Sequence, residues 1–218
     1  MFYVPASSPN DWKMFLAEPE KQWKDGFSAK SLAYAWHDAA GFPATVKTVF
    51  QSSQDENISS LSFIMGFPEY KVDLPGGTRA SQNDIFVLAK NNSGLLPIVV
   101  EGKVNESFGP YVSEWLSEKN VTSHERLNYL VNLLNLQGTN INNIRYQLLH
   151  RTASAIIMAQ TLCCNSCLML VHSFSDNNTS FEDYRGFTKL LNVDGNINTI
   201  SDPAKLNSID VYFGWVKK

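Results

Sequence analysis

The stretch DIFVLAKNNSGLLPIVVEGKV (residues 84–104) holds two apolar, β-branched runs separated by four residues that tolerate positive φ, the pattern of a β-hairpin. Pro97 falls near the start of the second run, where a missing N–H is tolerable. Side chains alternate across a strand, so Glu101 and Lys103 share one face and Gly102 leaves the other bare. Pairing through the turn carries Asp84 to the end of the hairpin that also holds Glu101 and Lys103. Two carboxylates at close quarters need a cation or a proton, and hard oxygen ligands suit Mg²⁺ or Mn²⁺. A lysine beside such an ion can position or deprotonate water and offset charge on a phosphate, which is hydrolytic phosphodiester chemistry. Taken alone, Glu-x-Lys on a strand is also an ordinary solvated ion pair, and Asp84 can simply end a turn.

Working outward, SAKSLAYAWHDAAG (28–41) reads as a helix capped by Ser28 and stopped by Gly41 and Pro43. A weaker helical stretch spans Ile58 to Met65, and YKVDL (70–74) is a short strand closed by Pro75-Gly76-Gly77. Beyond the hairpin, SHERLNYLVNLLNLQG (123–138) places Leu127, Leu130 and Leu134 on one helical face between Ser123 as cap and Gly138 as stop. NNIRYQLLHRTASAIIMAQTL (142–162) is the longest periodic segment, CLMLVHSFS (167–175) a buried central strand, and SFEDYRGFTKLL (180–191) an amphipathic helix capped by Ser180. IDVYFGWVKK (209–218) ends in lysines, as edge strands tend to. This order predicts an α/β protein, a mixed central sheet flanked by helices.

Asp84 followed by Glu101-Gly102-Lys103 at the end of the next apolar strand resembles the motif of the PD-(D/E)XK nuclease superfamily, the restriction-endonuclease-like fold. The predicted order over residues 28–174 is similar to that superfamily's common core, and LPGGTRASQNDIF, VVEGKVNESFG, IRYQLLHRTASA and VHSFS resemble an uncharacterised bacterial family associated with it. The resemblance implies Asp84 and Glu101 as metal ligands, Gly102 as a backbone carbonyl ligand, and Lys103 as catalytic lysine. Asn83 stands where the motif's name puts a proline, a departure shared by many superfamily members. The long helix after the motif strand carries Gln147 and Arg151 on the border of its apolar stripe. In the superfamily this helix brings such residues to the active site, so both join the catalytic candidates for water or phosphate contacts; Arg151 as a structural ion-pair partner is the alternative.

Arg79, Ser81 and Gln82, in the polar loop before Asp84, are candidate substrate contacts. Arg145 is another, although Arg145 and His150 point elsewhere on the long helix and also read as surface residues. His37 and Asp38 read as a solvated helix end, and Glu106 as an outer metal contact or part of a polar turn. PGG with TRASQ lacks the Gly-Lys-Ser/Thr ending of a phosphate-cradling Walker loop. Trp12, Trp23, Trp36, Trp115 and Trp215 read as core or interface residues rather than stacking platforms.

With 218 residues, 44% of them hydrophobic, the chain has material for one sizeable core, expected as a single domain over 1–218 with the helix and strand of 180–216 appended to the nuclease-like part. A net charge of -3 argues against coating nucleic acid or membrane by bulk charge, so phosphate binding must be local. No apolar run reaches the length of a membrane span, and the first twenty residues, with Pro5 and Pro9 and no basic leader, do not read as a signal peptide. Cys163, Cys164 and Cys167 read as buried thiols rather than as a zinc site completed by His172. The expectation is a cytoplasmic Mg²⁺- or Mn²⁺-dependent nuclease acting on nucleic acid, DNA before RNA, with homodimerisation open. A non-catalytic binding module on the same fold and a hydrolase of another phosphate ester are the competing readings.

Overall fold

A computed structural model describes residues 5–117 and 121–218. A 3₁₀ segment (Pro9–Phe15) leads into α1 (Pro19–Gln22), α2 (Ser28–Ala39), α3 (Ala44–Gln51) and α4 (Glu56–Ser59). Then come β1 (Ser62–Val72), β2 (Ser81–Asn91), β3 (Gly94–Lys103), α5 (Val112–Ser117), α6 (Val121–Leu133), α7 (Tyr146–Thr161) and β4 (Ser166–Ser173). The chain closes with α8 (Phe181–Leu190), β5 (Thr199–Ile200), β6 (Ala204–Leu206) and β7 (Ile209–Lys217). Among the described residues, seven strands form one mixed sheet in the order β1-β2-β3-β4-β7-β5, with β6 also paired to β7. The α/β class predicted from the sequence is the class observed.

The hairpin forms as its sequence requires. Asn92 and Ser93 make the turn, Gly94 takes φ 136°, and antiparallel pairing runs from Asn91–Gly94 to Ile85–Val100. Pro97 lies opposite Leu88, one residue before β3 begins its parallel pairing with β4 at Ile98–Leu168, so no ladder bond asks for its N–H. Alternation then sends Ile98 and Val100 to one side of the sheet, against Leu32 and Trp36 of α2, and Val99 to the other, against α7. Fully burying side chains such as Leu32 or Ile98 stabilises by about 1.5–3 kcal/mol each. Gly102 is required by this packing: a Cβ there would stand 2.3 Å from Leu32 Cδ1.

Several local expectations are corrected. The backbone from Ser62 onward is strand, not the end of a helix over Ile58–Met65, because Phe63, Ile64 and Met65 are β-prone and β2 offers them a free edge. The segment 70–74 is only the end of that strand, which stops at Val72. Ser28 is the first residue of α2 rather than its cap, and its N–H donates instead to Glu106 Oε1 at 2.8 Å. Ser123 lies inside α6, which ends at Leu133 rather than running to Gly138; Asn135, two residues on, takes a left-handed backbone (φ 55°) that lets Leu136 N–H reach Val131 O at 2.9 Å. Ser180 precedes α8 with φ 68° and makes no side-chain cap. β7 is internal rather than an edge, paired with β4 on one side and with β5 and β6 on the other. Cys163 is exposed, while Cys164 and Cys167 are buried. Cys167 packs on the α7 side of β4, whereas His172 accepts from Trp36 on the opposite side, so the cysteines and His172 do not share a zinc site. Among the described residues no helix is long and apolar enough to cross a membrane.

Candidate active site

The β2–β3 register places Asp84 across from Glu101, one step beyond the last paired residues Ile85 and Val100. There the strands part and the Asp84 side chain replaces the backbone partner, with Gly102 N–H donating to Oδ2 at 2.8 Å. Glu101 is 1% exposed and Lys103 3% exposed, so neither is a solvated surface charge. Lys103 Nζ donates to Glu101 Oε1 at 2.5 Å and to Gln147 Oε1 at 3.2 Å, and lies 4.6 Å from the centroid of the Phe108 ring. Arg151 Nε donates to Glu101 Oε2 at 2.5 Å, its Nη1 donates to Ser81 Oγ at 3.2 Å, and its Nη2 stands 3.8 Å from Asp84 Oδ1. Helix α7 packs on β3 and brings Gln147 and Arg151, one turn apart, to the same point.

One carboxylate was not foreseen. Glu69 sits in mid-strand with φ 52°, a left-handed conformation that costs a residue with a Cβ about 1–3 kcal/mol. Alternation slips across it, since Phe67 before and Tyr70 after pack against the same cluster. Pro68 pairs with Ile85 and Tyr70 with Asn83, so Glu69 and Asp84 face each other between those pairs. Gln82 Nε2 donates to Glu69 Oε2 at 2.7 Å. Only a positive φ within a strand marks Glu69, and nothing in its sequence neighbourhood announces that.

These surroundings sort the carboxylates into two kinds. Burial and the charge of Asp84 push the Glu69 carboxyl up to about 8, and burial with the charge of Glu101 pushes Asp84 up to about 7. Burial acts on Glu101 in the same sense, but Arg151 and Lys103 outweigh it and hold that carboxyl below the usual range. Glu101 is therefore a fixed anion already matched by two cations, while Glu69 and Asp84 compete for a positive charge that the chain supplies only weakly.

The cluster opens into a cavity of about 570 Å³ whose lining includes Glu69, Gln82, Asp84, Glu101, Gln147 and Arg151. His150, expected at the surface, also lines it. Its Nδ1 is 2.8 Å from Ser81 Oγ, and burial and Arg151 keep the imidazole neutral, well below its ordinary pKa. Ser81 is 3% exposed and serves as a link between His150 and Arg151 rather than as a free loop contact. Exposed Arg79 lines a neighbouring cavity of about 380 Å³. Arg145 lines neither of these two cavities: it pairs with Asp183 at 2.9 Å, donates to Gly109 O and covers the Tyr111 ring, and so staples the loop before α7. His37 accepts from Trp12 Nε1, Asp38 is exposed, and neither lines the cavity. Glu106 lines it but accepts from Ser28, Val104 and Asn105 N–H groups, so it ties the exit of β3 to the start of α2.

Fold and site together define an α/β protein with a buried carboxylate, lysine and arginine cluster at the end of a central hairpin, open to a cavity. The chain belongs to the family described as a domain of unknown function (DUF6946), which matches residues 5–218. No curated protein and no solved structure matches it.

Proposed function

We propose that this protein is a cytoplasmic, divalent-metal-dependent nuclease of the restriction-endonuclease-like fold, hydrolysing phosphodiester bonds in DNA. The observation that carries this reading is the meeting of Asp84, Glu101 and Lys103 with Gln147 and Arg151 at the wall of an open cavity. Solvated ion pairs do not collect five buried or half-buried polar side chains from two strands and a helix at one point.

The donor set fits Mg²⁺ or Mn²⁺ with Asp84 kept from the sequence expectation, Glu69 added, and Glu101 and Gly102 in supporting places. Among the described residues no three His, Cys, Asp or Glu side chains are arranged as a ready cage. Mg²⁺ is commonly held by one or two carboxylates with waters and substrate phosphate, and Glu69 and Asp84, both short of positive charge, fit that role. Glu101 fits less directly, since Lys103 and Arg151 occupy both its oxygens. Gly102 is engaged through its N–H and its contact with Leu32, so it contributes packing first. A bound ion would supply a more acidic water and neutralise phosphate charge. Lys103, held by Glu101 and Gln147, orients its ammonium for the attacking water or the scissile phosphate. Arg151 keeps Glu101 ionised and turns Nη2 toward Asp84, and Gln82 fixes the Glu69 carboxylate.

The test is Mn²⁺- or Mg²⁺-dependent cleavage of circular single-stranded and plasmid DNA. Activity is expected in the wild type and lost in Lys103→Ala and Glu101→Ala; activity unchanged in both variants contradicts the proposal. The double engagement of Glu101 favours a second reading, a non-catalytic nucleic-acid-binding module in which the cluster is a structural ion network. Calorimetry separates the two, since that module binds no Mn²⁺ while remaining folded.

A further inference from the structure

The geometry points to single-stranded or locally unpaired nucleic acid as the substrate, with a base stacked on Trp115; this rests on the nuclease reading above. The cavity beside the carboxylates and the one beside Arg79 share three lining residues, Trp115, Tyr146 and His150, and all three are aromatic. Trp115 from α5 lies parallel to Tyr146, with centroids 3.9 Å apart and planes inclined by 10°, and Tyr146 lies 5.0 Å from His150. Tyr146 is 8% exposed and forms the fixed base of the stack, whereas Trp115 is only half-buried, so its indole is the part a ligand can reach. Trp115 is thus not simply a core residue, as its sequence context suggested. His150 in turn contacts Ser81 and Arg151, so the aromatic row leads directly to the charged cluster.

The dimensions agree with one strand. About 570 Å³ and 380 Å³ lie in the range of pockets that enclose small ligands, room for about one nucleotide on each side of the row. Charge points the same way. The net charge is -3, and Arg126 in the second cavity is committed to the carbonyls of Leu74, Pro75 and Gly77, which leaves Arg79 as the cation there without a partner among the described residues. A duplex held by its phosphates needs many such cations, whereas base stacking adds affinity for a single strand that does not depend on charge. A scissile phosphate beside Asp84 and a neighbouring base on Trp115 are served by one strand crossing the row.

Fluorescence anisotropy with a labelled single-stranded 12-mer and the same sequence as a duplex tests this in Lys103→Ala, which prevents turnover. In parallel, Mn²⁺-dependent hydrolysis of bis(p-nitrophenyl) phosphate by proteins with native Lys103 reports the cluster without any base. The single strand is expected to bind at least about 10-fold tighter than the duplex, with a log–log salt slope of only about -1. Trp115→Ala is expected to weaken that binding about 5- to 150-fold and Trp115→Phe to restore most of it, both leaving Mn²⁺ affinity and the kcat for the small diester unchanged, with any loss of nitrophenyl stacking confined to its KM. Equal or tighter duplex binding, or no effect of Trp115→Ala, overturns the inference while leaving the nuclease reading intact. Trp115-dependent binding with no hydrolysis of any diester overturns the nuclease reading and keeps the stacking site. Neither binding nor hydrolysis overturns both.

Discussion

The two faces of the central sheet bury polar groups in opposite ways. On the α2 side, His172 is 1% exposed, Trp36 Nε1 donates to its Nδ1 at 3.1 Å, and aliphatic and aromatic side chains close around the pair. On the α7 side, Glu69, Asp84, Glu101, Lys103 and Arg151 meet at a cavity wall, and two of the three carboxyls are pushed to about 7 and 8. The first group is sealed and its needs are met within the chain. The second is left short of positive charge and open, at a cost to stability of the kind that binding and catalytic sites carry.

The largest break in this contrast comes from Glu101→Ala. It strands Arg151 and Lys103 without their shared anion, and unfolding by denaturant is expected to show a loss of about 3–5 kcal/mol. Glu101→Met combined with Lys103→Met and Arg151→Met, which removes the whole buried ion network, should recover much of that stability without recovering cleavage. On the sealed face, His172→Ala leaves a void and an unpartnered Trp36 N–H, with an expected loss of about 2–4 kcal/mol and no specific effect on divalent-ion binding.

The dependence on pH should separate the faces by sign. Burial, with Lys218, lowers His172 to about 3, so it stays neutral in the fold while the unfolded chain protonates below about 6.5. Its contribution is present above that value and is lost as pH falls, by up to about 1.4 kcal/mol per unit between about 6.5 and 3. Glu69 and Asp84 are raised, so the fold holds their protons longer than the unfolded chain does, and their contribution is lost as pH rises from about 4 to about 8. Melting curves across pH should therefore show an acid limb flattened by His172→Gln and an alkaline limb flattened by Glu69→Gln or Asp84→Asn. At pH 8 either carboxamide variant should melt about 2–6 °C above the wild type while losing activity. The smallest effect is expected of Arg145→Ala, about 1 kcal/mol from its partly buried pair with Asp183, with cleavage unchanged.

The hairpin was readable because turn chemistry and alternation act over neighbouring residues, and these two local rules suffice to set Asp84 across from Glu101. Gln147 and Arg151 followed from helical spacing combined with the resemblance. Glu69 escaped because the slip that turns it inward is a backbone conformation imposed by pairing with β2, and a helical reading of the preceding residues hid the length of β1. The edge reading of β7 failed because β5 and β6 have two and three residues, too few for a periodic signal. Gly102 was legible as an absence of bulk, but its reason, the close approach of Leu32, exists only once α2 is docked.

The most direct test of the central claim is calorimetric titration of Mn²⁺ at pH 8 into the wild type and Asp84→Asn, with DNA cleavage measured on the same samples. The account predicts Mn²⁺ binding and cleavage by the wild type, and neither by an Asp84→Asn protein that melts at the same temperature or higher. A folded wild type that takes up no Mn²⁺, or an Asp84→Asn variant that binds and cleaves as well as the wild type, would contradict it.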